Sequence, residues 1–378
     1  MLRALFVCVF AAFVAAPPAF SAVQSPFFLD THNQLWAATD ATGKAYQFTG
    51  AAGVQLSVGS VNSSGLGSGA IAVVRKADHR VVVFNGNNNA ITKTGVSARD
   101  IAAGRGEVFV RRADNTIAVI TLGALNPNGT FSVTVTGTNA RAVQMSAGYD
   151  FTTGQDFLAF RGPKNRVRVL EMVAGAPVFG SSDLSAIDIV AGDQKETFVR
   201  REHNRIAVLS IASVSATAIT LQPPIIRQRK AVEMSVSRNN PSGDDYMAFR
   251  SPDDSVHFVN FAPAGPSLSS FMDVPGAVAE QVVAGVTEIF IRRPSDRVQY
   301  FTLAGTGTSI ASSTSTGVFA TQLADTRWTL GPGVIDQIAV LKGQRLFVSQ
   351  NDGSGAMIAS FFRTGFFVRG VAGFPKFP

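Results

Sequence analysis

The chain has 378 residues, 46% hydrophobic and 16% charged, with a net charge of +7 and a pI near 9.8. That composition is ordinary for a globular core, and the positive balance favours anionic partners such as acidic glycans, cell-envelope polymers or nucleic acid. The single cysteine, Cys8, lies in the first turns of an apolar leader, so the chain beyond it has no disulfide, no thiolate metal site and no cysteine nucleophile.

Residues 1–22 read as a signal peptide. Arg3 supplies the charge, Ala4 to Ala16 the apolar run, and Ala19, Ser21 and Ala22 the small residues around a cleavage point after Ser21 or Ala22. The expected location is secreted or periplasmic. No later stretch reaches the ~18 uninterrupted apolar residues of a spanning helix, so no membrane span is expected. Residues 23–378 then form one domain.

That domain repeats one unit: strand, tight polar turn, strand. In chain order the first strands end at Leu29, Arg75, Arg111, Arg161, Arg200, Arg250, Arg292 and Leu341, on average about 45 residues apart. Unit 3 is typical, with Phe109-Val110-Arg111-Arg112-Ala113-Asp114-Asn115-Thr116-Ile117-Ala118-Val119. The residue four places past the anchor is Asn33, His79, Asn115, Asn165, Asn204, Asp254 or Asp296; Asn and Asp suit a turn because they tolerate a left-handed backbone. Apolar alternation and β-branched content predict strands throughout, with no sustained helical period.

A second register lies over the first. Val54-Gln55-Leu56-Ser57-Val58-Gly59 returns as Val143-Gln144-Met145-Ser146-Ala147-Gly148 and Val232-Glu233-Met234-Ser235-Val236-Ser237 before even-numbered units. Odd units are instead preceded by Asp100-Ile101-Ala102-Ala103-Gly104, Asp188-Ile189-Val190-Ala191-Gly192 and Gln281-Val282-Val283-Ala284-Gly285. Val368-Arg369-Gly370-Val371-Ala372-Gly373 matches the odd type, which unit 1 lacks at its own start. The expected fold is therefore all-β: a single closed β-propeller of eight four-stranded blades, seven being the alternative, with the ring closed by the C-terminal strand.

The recurring arginines Arg75, Arg111, Arg161, Arg200, Arg250 and Arg292 are expected to be structural, bonding between neighbouring blades. A second basic set at the turn exits, Arg80, Arg166, Arg205, Arg297 and Arg345, would line one rim and concentrate anionic ligands. His32, His79 and His203 lie in different turns, so convergent metal ligation is not expected, and no cofactor motif is present. Asp150 with Asp156, and Asp244 with Asp245, sit in longer even-unit loops without calcium-loop spacing and read as loop punctuation. No G-x-S-x-G, H-E-x-x-H or phosphate-cradling loop occurs, so no catalytic residues are assigned.

The stretch Val108-Phe109-Val110-Arg111-Arg112-Ala113-Asp114-Asn115-Thr116-Ile117 resembles the units of tectonin-like and related lectin propellers. The resemblance implies a secreted, non-catalytic, lectin-like binding protein whose repeated sites engage a glycan or anionic polymer. It makes Trp36, at the position where those families place a sugar-stacking aromatic, a further ligand-binding candidate. Specific nucleic-acid binding is not expected. The alternatives are a polymer-degrading enzyme with a central-channel site and a protein–protein scaffold.

Overall fold

The computed structural model describes residues 27–371 except 31, 39–44, 64–66, 86–89, 151–152, 193, 239–244, 262–270, 286–287, 305–308, 326–335, 343–344 and 352–361. The predicted leader, Asp244 and the end of the chain lie outside the described residues. Among them there is no α-helix, and one 3-10 turn at Glu202–Asn204. Among the described residues no helix is long and apolar enough to cross a membrane.

All strand pairings are antiparallel, as hairpins joined by short turns demand. Unit 3 shows the plan: Asp100–Ala103, Glu107–Arg111, Thr116–Leu125 and Phe131–Arg141 pair in sequence order as a four-stranded sheet. Units 2, 4, 6 and 7 repeat it, and unit 5 carries a fifth strand. The remaining strands join in one seven-stranded sheet. Its strand Phe362–Val371 pairs Phe367 with Arg345 and Arg363 with Phe347, then Val368 with Asp30 and Val371 with Phe28. One strand near the C-terminus therefore bonds at once to unit 8 and to the first described strand of unit 1.

The anchor strands are apolar on both faces because each sheet is covered on both sides. In unit 2, Ile71 and Val73 face Val108 and Val110 of unit 3, whereas Ala72 and Val74 face Phe27 and Leu35 of unit 1. Since successive side chains alternate sides, a strand with two buried faces must be continuously apolar. The same layering recurs between units 3 and 4, 4 and 5, 5 and 6, and 6 and 7. Leu323 extends it from unit 7 to unit 8. The core is thus a series of apolar seams rather than one central mass.

Each turn is locked by the same chemistry. Asn33, His79, Asn115, Asn165, Asn204, Asp254 and Asp296 all have left-handed φ, between 60° and 68°. The carbonyl of each accepts a bond from the residue just before the next unit: Gly53, Ala98, Ala142, Ala186, Ala231, Ala279 and Ala320, at 2.7–2.8 Å or 2.9 Å. Those alanines are buried, so a larger side chain would push turn and link apart. This bond also fixes geography. The arginine turns and the unit-to-unit links share one end of the sheets, here the turn end, and the hairpins around Gly104, Gly192 and Gly285 occupy the other.

A further repeated feature is a bulge in the outer strand. In unit 2, Arg80 pairs with Ser97 but Val82 with Lys93, leaving Thr94-Gly95-Val96 looped out. Thr94 Oγ1 donates to the Val81 carbonyl (2.8 Å) and accepts from Val96 N (3.2 Å), and Gly95 takes φ of 72°. Thr138 and Thr316 repeat both bonds, and Ser182 repeats the second. An outer strand broken this way is a poor template for edge-to-edge pairing.

Candidate functional site

At the turn end, the recurring arginines hydrogen-bond within their own unit; the interaction between blades that their repetition suggested is electrostatic only, as with Arg75 and Asp100 or Arg161 and Asp188 of the next unit. Arg111 reaches Asn115 Oδ1 across its turn (3.4 Å) and Asp100 on its own first strand (3.2 Å). Arg200 does the same with Asn204 and Asp188, and Arg250 with Asp254 and Glu233. The reason is reach: the anchor ends a strand directly beside the first strand of the same sheet, so the guanidinium fork falls on the nearest carboxylate. The bridges between units come from that first strand instead. Gln55 Nε2 donates to Asp100 (2.6 Å), Gln144 Nε2 to Asp188 (2.5 Å), and Gln281 Nε2 to the Leu323 carbonyl (2.9 Å).

The turn-exit residues Arg80, Arg166, Arg205 and Arg297 are exposed, each on its own unit. Arg80 lies 3.7 Å from Asp78, Arg166 2.7 Å from Asp183, and Arg297 stacks 5.5 Å over the Phe319 ring. Arg345 begins a strand, and its side chain lies outside the described residues. Trp36 is half-buried, its indole N–H donated to Asp30 Oδ2 (2.9 Å). The described candidates therefore stand on different units, Arg80, Arg166, Arg205 and Arg297 each at its own turn.

The opposite end holds a group that the repeat reading passed over. Asp156, expected as loop punctuation, is a buried strand residue of unit 4. Its carboxylate accepts backbone N–H bonds from Arg105 (2.7 Å), Gly106 (2.7 Å) and Glu107 (2.9 Å) of unit 3. Successive N–H groups turned onto one carboxylate make an anion-binding concavity. Arg105 also lies 4.0 Å over the Tyr149 ring of unit 4. Asp150, likewise buried, pairs with Lys195 of unit 5 (2.9 Å). Glu107 and Glu171 are buried beside them, with Glu107 Oε2 and Glu171 Oε1 lacking a hydrogen-bond partner among the described residues. Among the described residues, no group of three or more His, Asp or Glu is arranged to hold a metal ion. One trace of this site was visible in sequence: a glutamate stands four residues before the anchor in odd units, at Glu107, Glu196 and Glu288.

Burial, reinforced by the charges of Asp156 and Glu171, pushes the Glu107 carboxyl up to about 9. Burial, with Asp150 adding to it and Lys195 opposing, raises Glu171 to about 7. The folded chain therefore keeps a proton on Glu107 that the unfolded chain releases above its ordinary value of 4.5. Stability from this group is intact below about 4.5 and declines as pH rises toward 9. Glu107→Gln cannot lose that proton. Its melting temperature relative to the parent chain should climb between pH 5 and pH 9, read by thermal scans across that window; a difference independent of pH would refute the assignment.

A third polar group sits at the turn of unit 6, where Ser255 replaces the exit arginine. Ser255 Oγ lies 2.8 Å from His257 Nε2, and His257 Nδ1 lies 2.7 Å from Asp273 Oδ1. Ser251 Oγ is 2.5 Å from Asp253 Oδ1 and 3.1 Å from the same imidazole nitrogen. The buried His257 ring stacks on Phe249 at 5.1 Å.

Compared with known proteins, the chain matches no family model and no curated protein sequence. Solved structures do resemble it. Dihydro-heme d1 dehydrogenase NirN in complex with DHE aligns over 96% of this chain and 78% of that one, at 11% identity and a TM-score of 0.58. Yeast RCC1 (Prp20) bound to Kap60 aligns over 79% and 86%, at 9% identity and a TM-score of 0.45. BamB from Moraxella catarrhalis aligns over 86% and 93%, at 12% and 0.41. The first of these, a β-propeller at a TM-score of 0.58, together with the chain's own succession of antiparallel four-stranded sheets, shows a propeller repeat fold. At these identities the likeness concerns fold alone.

Proposed function

We propose that this chain is an exported, non-catalytic binding propeller that recognises an acidic glycan or another anionic envelope polymer through its turn end. The observation that carries the reading is the set of exposed arginines, Arg80, Arg166, Arg205 and Arg297, repeated on one end of a scaffold built in equivalent units. Weak equivalent contacts gain avidity against a polyvalent target. Arg345 belongs to the set by its position in the repeat, and Trp36 is the aromatic candidate of the first unit. Eight blades, closed where Phe362–Val371 bridges the first and last units, is the ring this reading uses; its support is the double pairing of that strand. Export rests on the character of residues 1–22.

The test is a glycan array with the leader-free chain at low and high salt. Binding to acidic glycans that fades with salt is the expected result. Salt-insensitive binding to neutral sugars would move the site to pockets between blades. Absence of binding would overturn the reading.

A second reading, acyl-ester hydrolysis on such a polymer, is favoured by Ser255, His257 and Asp273, whose distances suit nucleophile, base and orienting carboxylate. Ser255 Oγ would bond to the acyl carbon as His257 takes its proton and returns it to the departing alcohol; water would then release the acid. A fluorophosphonate probe labels Ser255 if this chemistry operates, and fails to label it if the network only braces the turn.

A further inference from the structure

We propose that the outer edge of unit 5, formed by Arg201, Arg205, Arg227, Arg229 and Lys230, is the principal docking site for a linear acidic polysaccharide. This deepens the turn-end reading above and rests on it.

The argument begins with where the repeat is broken. A residue that serves the repeat recurs, so a replaced position is free for a task of its own. In units 2, 3, 4 and 7 the outer bulge carries Thr94, Thr138, Ser182 or Thr316, whose hydroxyl accepts the N–H two residues on. In unit 5 the corresponding looped-out residues are Arg227-Gln228-Arg229, between the pairs Ala207–Ile226 and Arg205–Lys230. Pro223-Pro224 splits the outer strand into Ile219–Leu221 and Ile225–Lys230, both pairing with Arg205–Val214. No proline can donate to a ladder, so the break is built into the sequence.

Charge gathers there. From 201 to 230 the chain has five basic residues and one acidic residue, Glu202, a surplus of four out of +7 for all 378 residues. Arg205, Arg229 and Lys230 are exposed and Arg227 is half-buried. Arg227 and Lys230 have no ion-pair partner among the described residues. Arg229 lies 3.5 Å from Asp273 of unit 6, which is in turn held by His257. That chain orients the guanidinium while leaving its side chain 47% exposed.

The same geometry selects the occupant. An open sheet edge would invite an extended peptide to add a strand, but that requires a continuous ladder. Here only Ile225, Ile226 and Lys230 are in register and the residues between them loop out. The edge therefore reads charge through side chains rather than a peptide through its backbone. Ile226, 46% exposed, adds an apolar surface for the C–H face of a sugar ring.

Two triple variants of the full chain, with equal charge change, provide the test: Arg227→Ala/Arg229→Ala/Lys230→Ala and Arg80→Ala/Arg166→Ala/Arg297→Ala. The probes are a sulfated heparin oligosaccharide and a carboxylate-only polygalacturonate oligosaccharide, titrated at several salt concentrations. The unit 5 variant should weaken binding by about tenfold or more and flatten its salt dependence, and the dispersed variant by less than about threefold. Equal losses, or a larger loss in the dispersed variant, would overturn the unit 5 site while leaving the turn-end reading intact. Failure of the parent chain to bind either probe would overturn both. Should the alanine triple fold poorly, Arg227→Gln/Arg229→Gln decides between the same outcomes.

Discussion

Asp156→Ala lowers the stability of the domain by about 3–5 kcal/mol, the sum expected when one buried and two half-buried N–H groups lose their acceptor at roughly 1–3 kcal/mol each and some are recovered by water. The donors are Arg105, Gly106 and Glu107, and they belong to a different unit from the carboxylate, so the loss falls on the seam between units 3 and 4. The carboxyl is closely seated: an added Cβ at Gly104 would lie 2.5 Å from its carbon. Asp156→Asn keeps one acceptor oxygen but turns an amide N–H toward the remaining donors, so it falls between alanine and the parent chain. Asparagine also removes the charge that helps raise Glu107, so the gain from Glu107→Gln at alkaline pH should shrink in the Asp156→Asn background. Urea unfolding of Asp156→Ala and of the four proteins of this cycle measures all of it. A loss below about 1 kcal/mol for Asp156→Ala would mean that the three N–H groups are satisfied by solvent.

The second large effect comes from adding one methyl group. At Gly148 a Cβ would sit 2.4 Å from the Gly192 carbonyl oxygen and 2.4 Å from the Phe157 ring; at Gly59 it would sit 2.0 Å from the Gly104 oxygen. In each case the obstacle includes the backbone of the next unit, which cannot rotate away as a side chain can. Gly192 is further held by bonds to Glu196 and Tyr149. Gly148→Ala should therefore cost about 2–3 kcal/mol, at the upper end for an overpacked core. Unit 6 supplies the control, since its equivalent residue is already a serine. Ser237 is fully buried and its Oγ has no hydrogen-bond partner among the described residues, so Ser237→Ala should be neutral or slightly stabilising. Thermal melts that placed both variants on the same side of the parent chain would show that the two seams are not equivalent.

What the sequence disclosed was whatever is decided within one unit. The strand-turn-strand pattern and the left-handed position after each anchor depend on residues within five places of one another, and Asn115 or Asp254 states its own conformation. The buried alanines and the Thr-Gly bulges also recur at fixed offsets. Alanine carries no distinctive chemistry, however, and the bulge shows only when Thr94-Gly95 is set beside Thr316-Gly317. The arginines stand where the repeat placed them, but their hydrogen bonds fall within the unit, since strand order within the sheet decides which side chain each guanidinium reaches, and only their electrostatic attraction extends to the next unit. The carboxylate group at the far end was illegible for another reason. Asp156 is defined by N–H groups some fifty residues earlier, and a backbone donor has no signature in a sequence. The basic edge of unit 5 was readable residue by residue, but its distinction lies in the Thr/Ser it replaces.

The two interleaved strand types also set a parity rule. In units 2, 4 and 6 the even-type first strand offers a serine to the odd-type strand that follows, Ser57 to Ala103 N, Ser146 to Ala191 N and Ser235 to Ala284 N, at 2.9–3.0 Å, whereas unit 8 has Ala324 at that place. The odd-type strands carry alanine or valine where that serine stands and cannot return the bond. Deleting one blade, or duplicating one, would set two edges of the same kind against each other and leave a donor without its acceptor. Deleting two adjacent blades would not. The heritable module of this fold is thus the blade pair, and viable rearrangements of its gene should come in segments of about ninety residues.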